Sequence, residues 1–214
     1  MTRIVYSMLS CVSFVALSAA CAGDGDGEVA AAAQTQAVTV TGPAITHTGN
    51  SSASVITSFH GAPLTSPGLE LRGSTASGAY AAASYRVATS SNTGSQVTVT
   101  PAAGASFIYM LLGSGSHYTT QQLRLQRIPG SSDLQAATAS GNVACGPLPS
   151  GTATTVTLTL HPAARTFDVL LGGAASRCTA LPLTLELPVV GFAMMDASNE
   201  NYGGLVDFTD LTVF

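Results

Sequence analysis

Asp196, Ser198, Asn199 and Glu200 crowd into the most polar stretch of the chain, Asp196-Ala-Ser-Asn-Glu-Asn-Tyr-Gly-Gly204, with Asp207 just beyond it. Hard cations such as Ca2+ take about six to eight oxygen ligands, and side chains of these types supply them. The stretch is therefore a candidate calcium or glycan loop, and Ca2+ is the one cofactor the sequence offers. The plainer reading, which the sequence favours, is a self-capped surface loop. In such a loop Asn and Asp bond their own backbone, and Gly203 and Gly204 supply positive φ. Sugar recognition also profits from exposed aromatic rings with one apolar face and one polar tip. The chain has no Trp. Tyr118 and Tyr202, both in loop-like segments, are the candidate platforms, whereas Tyr109 lies in a buried-type strand. Nucleophilic chemistry finds no support. There is no Gly-x-Ser-x-Gly elbow, and His47, His60, His117 and His161 are dispersed without metal-ligand spacing. His161 precedes Pro162 in a turn and reads as merely solvated.

The N-terminal residues carry a different kind of chemistry. Arg3 supplies a positive n-region, Ile4 to Leu17 a mostly apolar stretch, and Ser18, Ala19 and Ala20 a small-residue patch. That is the layout of a secretory signal, assigned to residues 1–20. The apolar run is broken by Ser7, Ser10 and Ser13, and a spanning helix wants about 20 apolar residues. The run Leu17-Ser18-Ala19-Ala20-Cys21 resembles a bacterial lipobox, with Ser18 where that pattern has Leu. The resemblance implies lipidation of Cys21 and an anchor in the outer membrane or at the cell surface. Cleavage after Ala20 or Ala22, giving a secreted or periplasmic protein, is the alternative. Residues 21–37, with Gly23 to Glu28 alternating glycine and acid before Ala30 to Ala33, read as a flexible tether. Cys11 lies in the signal. Cys145 and Cys178 remain as a pair in an oxidising compartment, so a disulfide is expected between them.

Residues 38–214 must then position whatever the chain uses. Period-two alternation recurs through them, as in Gln96-Val-Thr-Val-Thr100, Gln122-Leu-Arg-Leu-Gln-Arg-Ile128 and Thr155-Val-Thr-Leu-Thr-Leu160. Further strands are expected at Ser54 to Phe59, Leu69 to Arg72, Ala79 to Val87, Phe167 to Leu171, Leu183 to Leu187, Val189 to Met195 and Leu205 to Phe214. Ser106 to Leu112 is continuously apolar, as in a strand buried on both faces. In the last strand the phase slips between Phe208 and Leu211, which predicts a bulge near Thr209-Asp210. No stretch keeps a helical period. The expectation is an all-β, two-sheet antiparallel β-sandwich, or jelly roll, in one domain.

Composition narrows the partners. Only 8% of residues are charged, against about 25% in ordinary soluble domains. All seven basic residues are Arg, and the net charge is −4. Arg124 and Arg127 are too isolated to make a basic patch, so a nucleic-acid partner is excluded. An apolar fraction of 46% is enough to build a core.

The C-terminal half carries a second resemblance. Thr155 to His161, Thr166-Phe-Asp-Val-Leu-Leu-Gly-Gly173, Val190-Gly-Phe-Ala-Met-Met-Asp196 and Val206-Asp-Phe-Thr-Asp-Leu-Thr-Val-Phe214 resemble the closing strands of a concanavalin A-like lectin/glucanase (laminin-G-like) jelly roll. Laminarinase-type members of that family hydrolyse glycans with a Glu-x-Asp-x-x-Glu run on one strand. This chain has none: beyond the signal its glutamates are Glu28, Glu70, Glu186 and Glu200, each without a carboxylate two residues on. A non-enzymatic binding or structural domain is therefore expected, facing a glycan or a surface protein. A carbohydrate-binding module is the alternative. A hydrolase would require carboxylates paired across strands.

Overall fold

The alternating segments pair into two antiparallel sheets in a computed structural model, which describes residues 40–47, 51–59, 62–73, 81–87, 93–196 and 204–214. The strands of the first half are β1 (Val40–His47), β2 (Ser52–Phe59), β3 (Ala62–Arg72), β4 (Ala81–Val87), β5 (Gly94–Pro101) and β6 (Phe107–Gly113). A four-residue helix, α1 (Tyr118–Gln121), leads into β7 (Gln122–Arg127), β8 (Asp133–Thr138), β9 (Gly141–Pro147) and β10 (Thr154–His161). Then come β11 (Thr166–Leu171), β12 (Ala174–Ala175), β13 (Leu181–Pro182), β14 (Val189–Asp196) and β15 (Leu205–Val213). One sheet has seven strands in the order β1-β4-β14-β6-β7-β8-β9. The other has eight, in the order β12-β11-β10-β5-β15-β3-β2, with β13 also on β11. This is the expected jelly-roll sandwich.

Period two decides what is inside. On β10 Val156, Leu158 and Leu160 are buried, while Thr155, Thr157 and Thr159 face out. Their register partners across the sheet, Val97 on β5 and Val169 on β11, are buried too. From the seven-stranded sheet Phe107, Tyr109, Leu111, Leu125, Phe192 and Met194 meet them. Two of the contacts that cross between the sheets involve β6. Phe107 packs edge-on against Phe208 with ring centroids 5.5 Å apart. Tyr109 donates its hydroxyl to Ser95 Oγ at 2.6 Å in full burial, and burial pushes the Tyr109 phenol pKa up. Tyr85 stacks on Phe192 at 4.8 Å, and its phenol is pushed up to about 12 by burial.

The expected bulge is present. β15 pairs Thr209 with Thr98 and Thr212 with Gln96, so one extra residue is inserted on β15, and Asp210 takes φ 53°. The insertion turns Leu211 back onto the core. The expected strand Leu183 to Leu187 is corrected: only Leu181–Pro182 pairs, with β11. Leu183 and Leu185 are buried as their alternation implies. However, Pro182 and Pro188 bracket the segment and remove ladder donors as the chain passes from one sheet to the other. Three longer strands, β1, β8 and β9, were not expected from the sequence.

The Cys145–Cys178 disulfide forms as expected, across a sequence separation of 33. Cys145 lies on β9, the edge of the seven-stranded sheet, and Cys178 between β12 and β13 beside the other sheet. Backbone bonds reinforce the bridge. Arg177 N donates to Cys145 O at 2.9 Å, and Val169 N to Cys178 O at 2.8 Å. One side of the sandwich is thereby closed.

Candidate functional site

Of the residues singled out from the sequence, Tyr118, Asp196, Cys145 and Cys178 are among those described. Cys21, Ser198, Asn199, Glu200 and Tyr202 lie outside the described residues. Asp196 ends β14, with its backbone opposite Phe107 at the start of β6. Tyr118 opens α1, beyond the other end of β6. The six steps of β6 span about 20 Å, so Tyr118 and Asp196 belong to opposite ends of the sheet. Among the described residues, no group of three or more His, Cys, Asp or Glu comes together to hold a metal.

The residues that do gather are those facing out from the centre of the seven-stranded sheet. Leu123, Leu125 and Arg127 of β7 point inward and are buried, so Gln122, Arg124 and Gln126 point outward. Cross-strand register arranges the outer face in three rows. Arg86, Gly191, Leu112 and Gln122 form the first; Ser84, Ala193, Met110 and Arg124 the second. Ala82, Met195, Ile108, Gln126 and Gln135 form the third. Although they face outward, Met110, Ala193 and Gln126 are only 7%, 7% and 8% exposed, so neighbouring groups cover the middle of the face.

This face has two halves. On β4 and β14 its floor is small: Ala82, Ser84, Gly191 and Ala193. Gly191 is required there, because a Cβ would run into the Tyr85 carbonyl. On β6 and β7 stand the apolar side chains of Ile108, Met110 and Leu112, then a ladder of amides and one guanidinium. Arg124 donates to Gln126 Oε1 at 2.8 Å, which fixes the guanidinium against its neighbour. Gln135 Oε1, on the adjoining strand, is buried and has no hydrogen-bond partner among the described residues. A buried acceptor left in this state costs about 1–3 kcal/mol unless a donor reaches it. The face thus offers hydrogen-bonding groups beside apolar surface, which suits a molecule with hydroxyls on its edges and C–H groups on its faces.

Carboxylate chemistry is poorly served here. The only Asp or Glu on strands of this sheet are Asp133 on β8 and Asp196 on β14. They are separated by β6 and β7, three strand spacings or about 14 Å. Glycosidic carboxyl pairs lie about 5–9.5 Å apart. The other sheet does bring two carboxylates face to face: Glu70 and Asp207 are register partners on β3 and β15. Their Cβ atoms are then about 5 Å apart on the outer face. Asp207 is only 7% exposed, however, and Glu70 Oε1 lies 3.9 Å from Arg72.

His161 is corrected. It is not merely solvated, since its Nε2 lies 2.8 Å from Asp168 Oδ2. Asp168 also accepts from the Ala180 backbone N–H at 2.6 Å. That bond first, and His161 second, hold the Asp168 carboxyl below the usual carboxylate range. Arg127 departs from its sequence neighbour Arg124. It turns inward, is 5% exposed, and donates to the Ala105 carbonyl and to Ser150 Oγ. Burial lowers its pKa. Elsewhere a cleft of about 500 Å³ lies beside the disulfide, lined by Pro147, Pro149, Leu171 and Arg177 among others. It is away from the three rows.

Solved structures share the fold. A chain described as "Sialidase" superposes with a TM-score of 0.56 at 12% identity, over 76% of this chain and 17% of its own length. "Cellulose induced protein, Cip1" superposes with a TM-score of 0.56 at 11% identity, over 80% of this chain and 90% of its own. This chain therefore spans about a sixth of the first and most of the second, and the likeness is one of fold. No family model and no curated protein matches the sequence.

The alternation of Gln122 to Ile128 was visible in the sequence, but nothing there said which rows its outward residues would join. That requires the pairing of β4, β14 and β6, which are far apart along the chain. The signal available was the polar identity of every second residue on β7.

Proposed function

We propose that this chain is an exported, lipid-anchored surface protein whose β-sandwich binds a glycan without hydrolysing it. The observation that carries the binding role is the outer face of the seven-stranded sheet. It sets Gln122, Arg124, Gln126 and Gln135 beside an apolar strip and a floor of small residues. Amides and a guanidinium hydrogen-bond sugar hydroxyls in pairs, and the apolar strip takes the C–H face of the ring. The absence of a carboxylate pair from those rows favours binding over cleavage. The export and the anchor rest on residues 1–21 alone.

A glycan array probed with the mature protein tests the binding role. Hits that are lost on Gln126→Ala are expected, with no new reducing ends released from the bound glycans. No hits among bacterial, plant and algal glycans would remove the reading. Labelling with radioactive palmitate tests the anchor: label is expected in the wild type and absent in Cys21→Ser. A second reading, hydrolysis, is favoured by one observation, the cross-strand pair Glu70 and Asp207. Release of reducing ends that stops in Asp207→Asn would establish it in place of the first.

A further inference from the structure

We propose that the glycan is anionic, an acidic or sulfated polysaccharide, and that Arg124 and Arg86 select it. This rests on the preceding reading that the outer face of the seven-stranded sheet is the binding surface. The chain as a whole carries a net charge of −4. The three central rows of this face reverse that balance, with two arginines and no carboxylate. Asp133 and Asp196 stand at strand ends outside those rows.

Position sharpens the assignment. Arg124 lies in the middle row beside Met110, with its guanidinium oriented by Gln126 Oε1 at 2.8 Å. Arg86 is exposed in the first row, on β4, with Thr41 of the edge strand β1 opposite it. They are separated by three strand spacings, about 14 Å across the sheet, plus one two-residue step. The small floor, Gly191 and Ala193, lies between them. A chain laid over that floor meets one cation at each side, so it must carry more than one negative group along its length. Guanidinium matches carboxylate and sulfate alike with paired N–H donors. Both sources of charge therefore fit, and the test separates them.

The test uses the full mature protein and two matched pairs of polymers: polygalacturonate with its methyl ester, and dextran sulfate with dextran. Each pair shares a backbone and differs in whether that backbone carries charged groups. One charge-assisted contact predicts at least about tenfold tighter binding of a charged member than of its neutral partner. That preference should shrink as salt is raised. It should be lost in Arg124→Gln and reduced in Arg86→Gln, with Arg124→Lys retaining part of it. Unchanged thermal unfolding midpoints separate these effects from misfolding, and Arg86→Gln, at an exposed position, keeps the test open if Arg124→Gln fails to fold. Preference for polygalacturonate alone assigns carboxylate, and for dextran sulfate alone assigns sulfate. Equal binding of charged and neutral members overturns the proposal while leaving the glycan reading intact. Charge preference that survives both Arg124→Gln and Arg86→Gln also overturns it. If neither these polymers nor any array glycan binds, the glycan reading itself falls.

Discussion

Tyr109 brings a hydroxyl into the middle of the sandwich, and Ser95 is what makes that tolerable. The pair spans the two sheets at 2.6 Å with no water access. Tyr109→Phe leaves the Ser95 hydroxyl buried without its donor, and a loss of about 1–2 kcal/mol is expected. Adding Ser95→Ala removes the orphaned group and should restore most of that loss, so urea midpoints of the single and double variants will be strongly non-additive. Asp168 makes a different kind of prediction. Its carboxyl is held low by the Ala180 N–H and by His161. A depressed folded pKa contributes stability above the unfolded value, about 3.9, and that stability is lost as pH falls through the folded value. Asp168→Asn should therefore lower stability at neutral pH and flatten the acid limb of the stability curve below about pH 4. Thermal melts from pH 2 to 7 would show it, and parallel curves for the two proteins would contradict it.

At the scale of elements, close approach and closure set the vulnerable points. Gly94 begins β5 where a Cβ would strike the Leu158 carbonyl and come within 2.6 Å of the Phe214 ring. Gly94→Ala should cost about 1–3 kcal/mol by overpacking, read as a lower urea midpoint. The disulfide joins the edges of the two sheets over a separation of 33 residues. Replacing Cys145 and Cys178 together by Ala should cost about 4 kcal/mol in the chain-entropy account. Denaturation with and without reductant should give the same loss in the wild type.

Strands with strict alternation and β-branched residues, such as β5, β10 and β15, were legible in the sequence because each residue reports its own face. The bulge in β15 was legible for the same reason, since Leu211 is apolar at the wrong phase. β8 and β9 were not, because Leu134, Ala136, Val143 and Cys145 give too little apolar contrast over so few residues. β1 was hidden by Gly42-Pro43, which an edge strand tolerates at an irregularity. Leu183 to Leu187 misled in the opposite sense: alternation reports burial, and burial does not require a ladder. The site was the least legible feature. Its residues are polar, small and apolar by turns, scattered over β4, β14, β6, β7 and β8, and united only by register.

The described sandwich is closed on one side by a disulfide, and its seven-stranded sheet carries the proposed binding face. The two faces differ in chemistry. The eight-stranded sheet shows mainly threonines, including Thr98, Thr155, Thr157 and Thr159, with Thr157 Oγ1 donating to Gln96 Oε1 at 3.1 Å. These are ordinary residues for a solvated strand surface. The seven-stranded sheet shows the amides, Arg124 and the apolar strip. Three methionines report on this difference. Met110 and Met195 lie on the outer face of that sheet, and Met194 lies in the core behind it. Methyl-labelled methionine NMR of the mature protein, titrated with oligosaccharides of polygalacturonate and of the strongest glycan-array hit, therefore tests the binding face directly. The Met110 and Met195 methyl signals are expected to move and saturate with binding while Met194 stays in place. Saturable binding that leaves Met110 and Met195 unmoved would contradict that expectation.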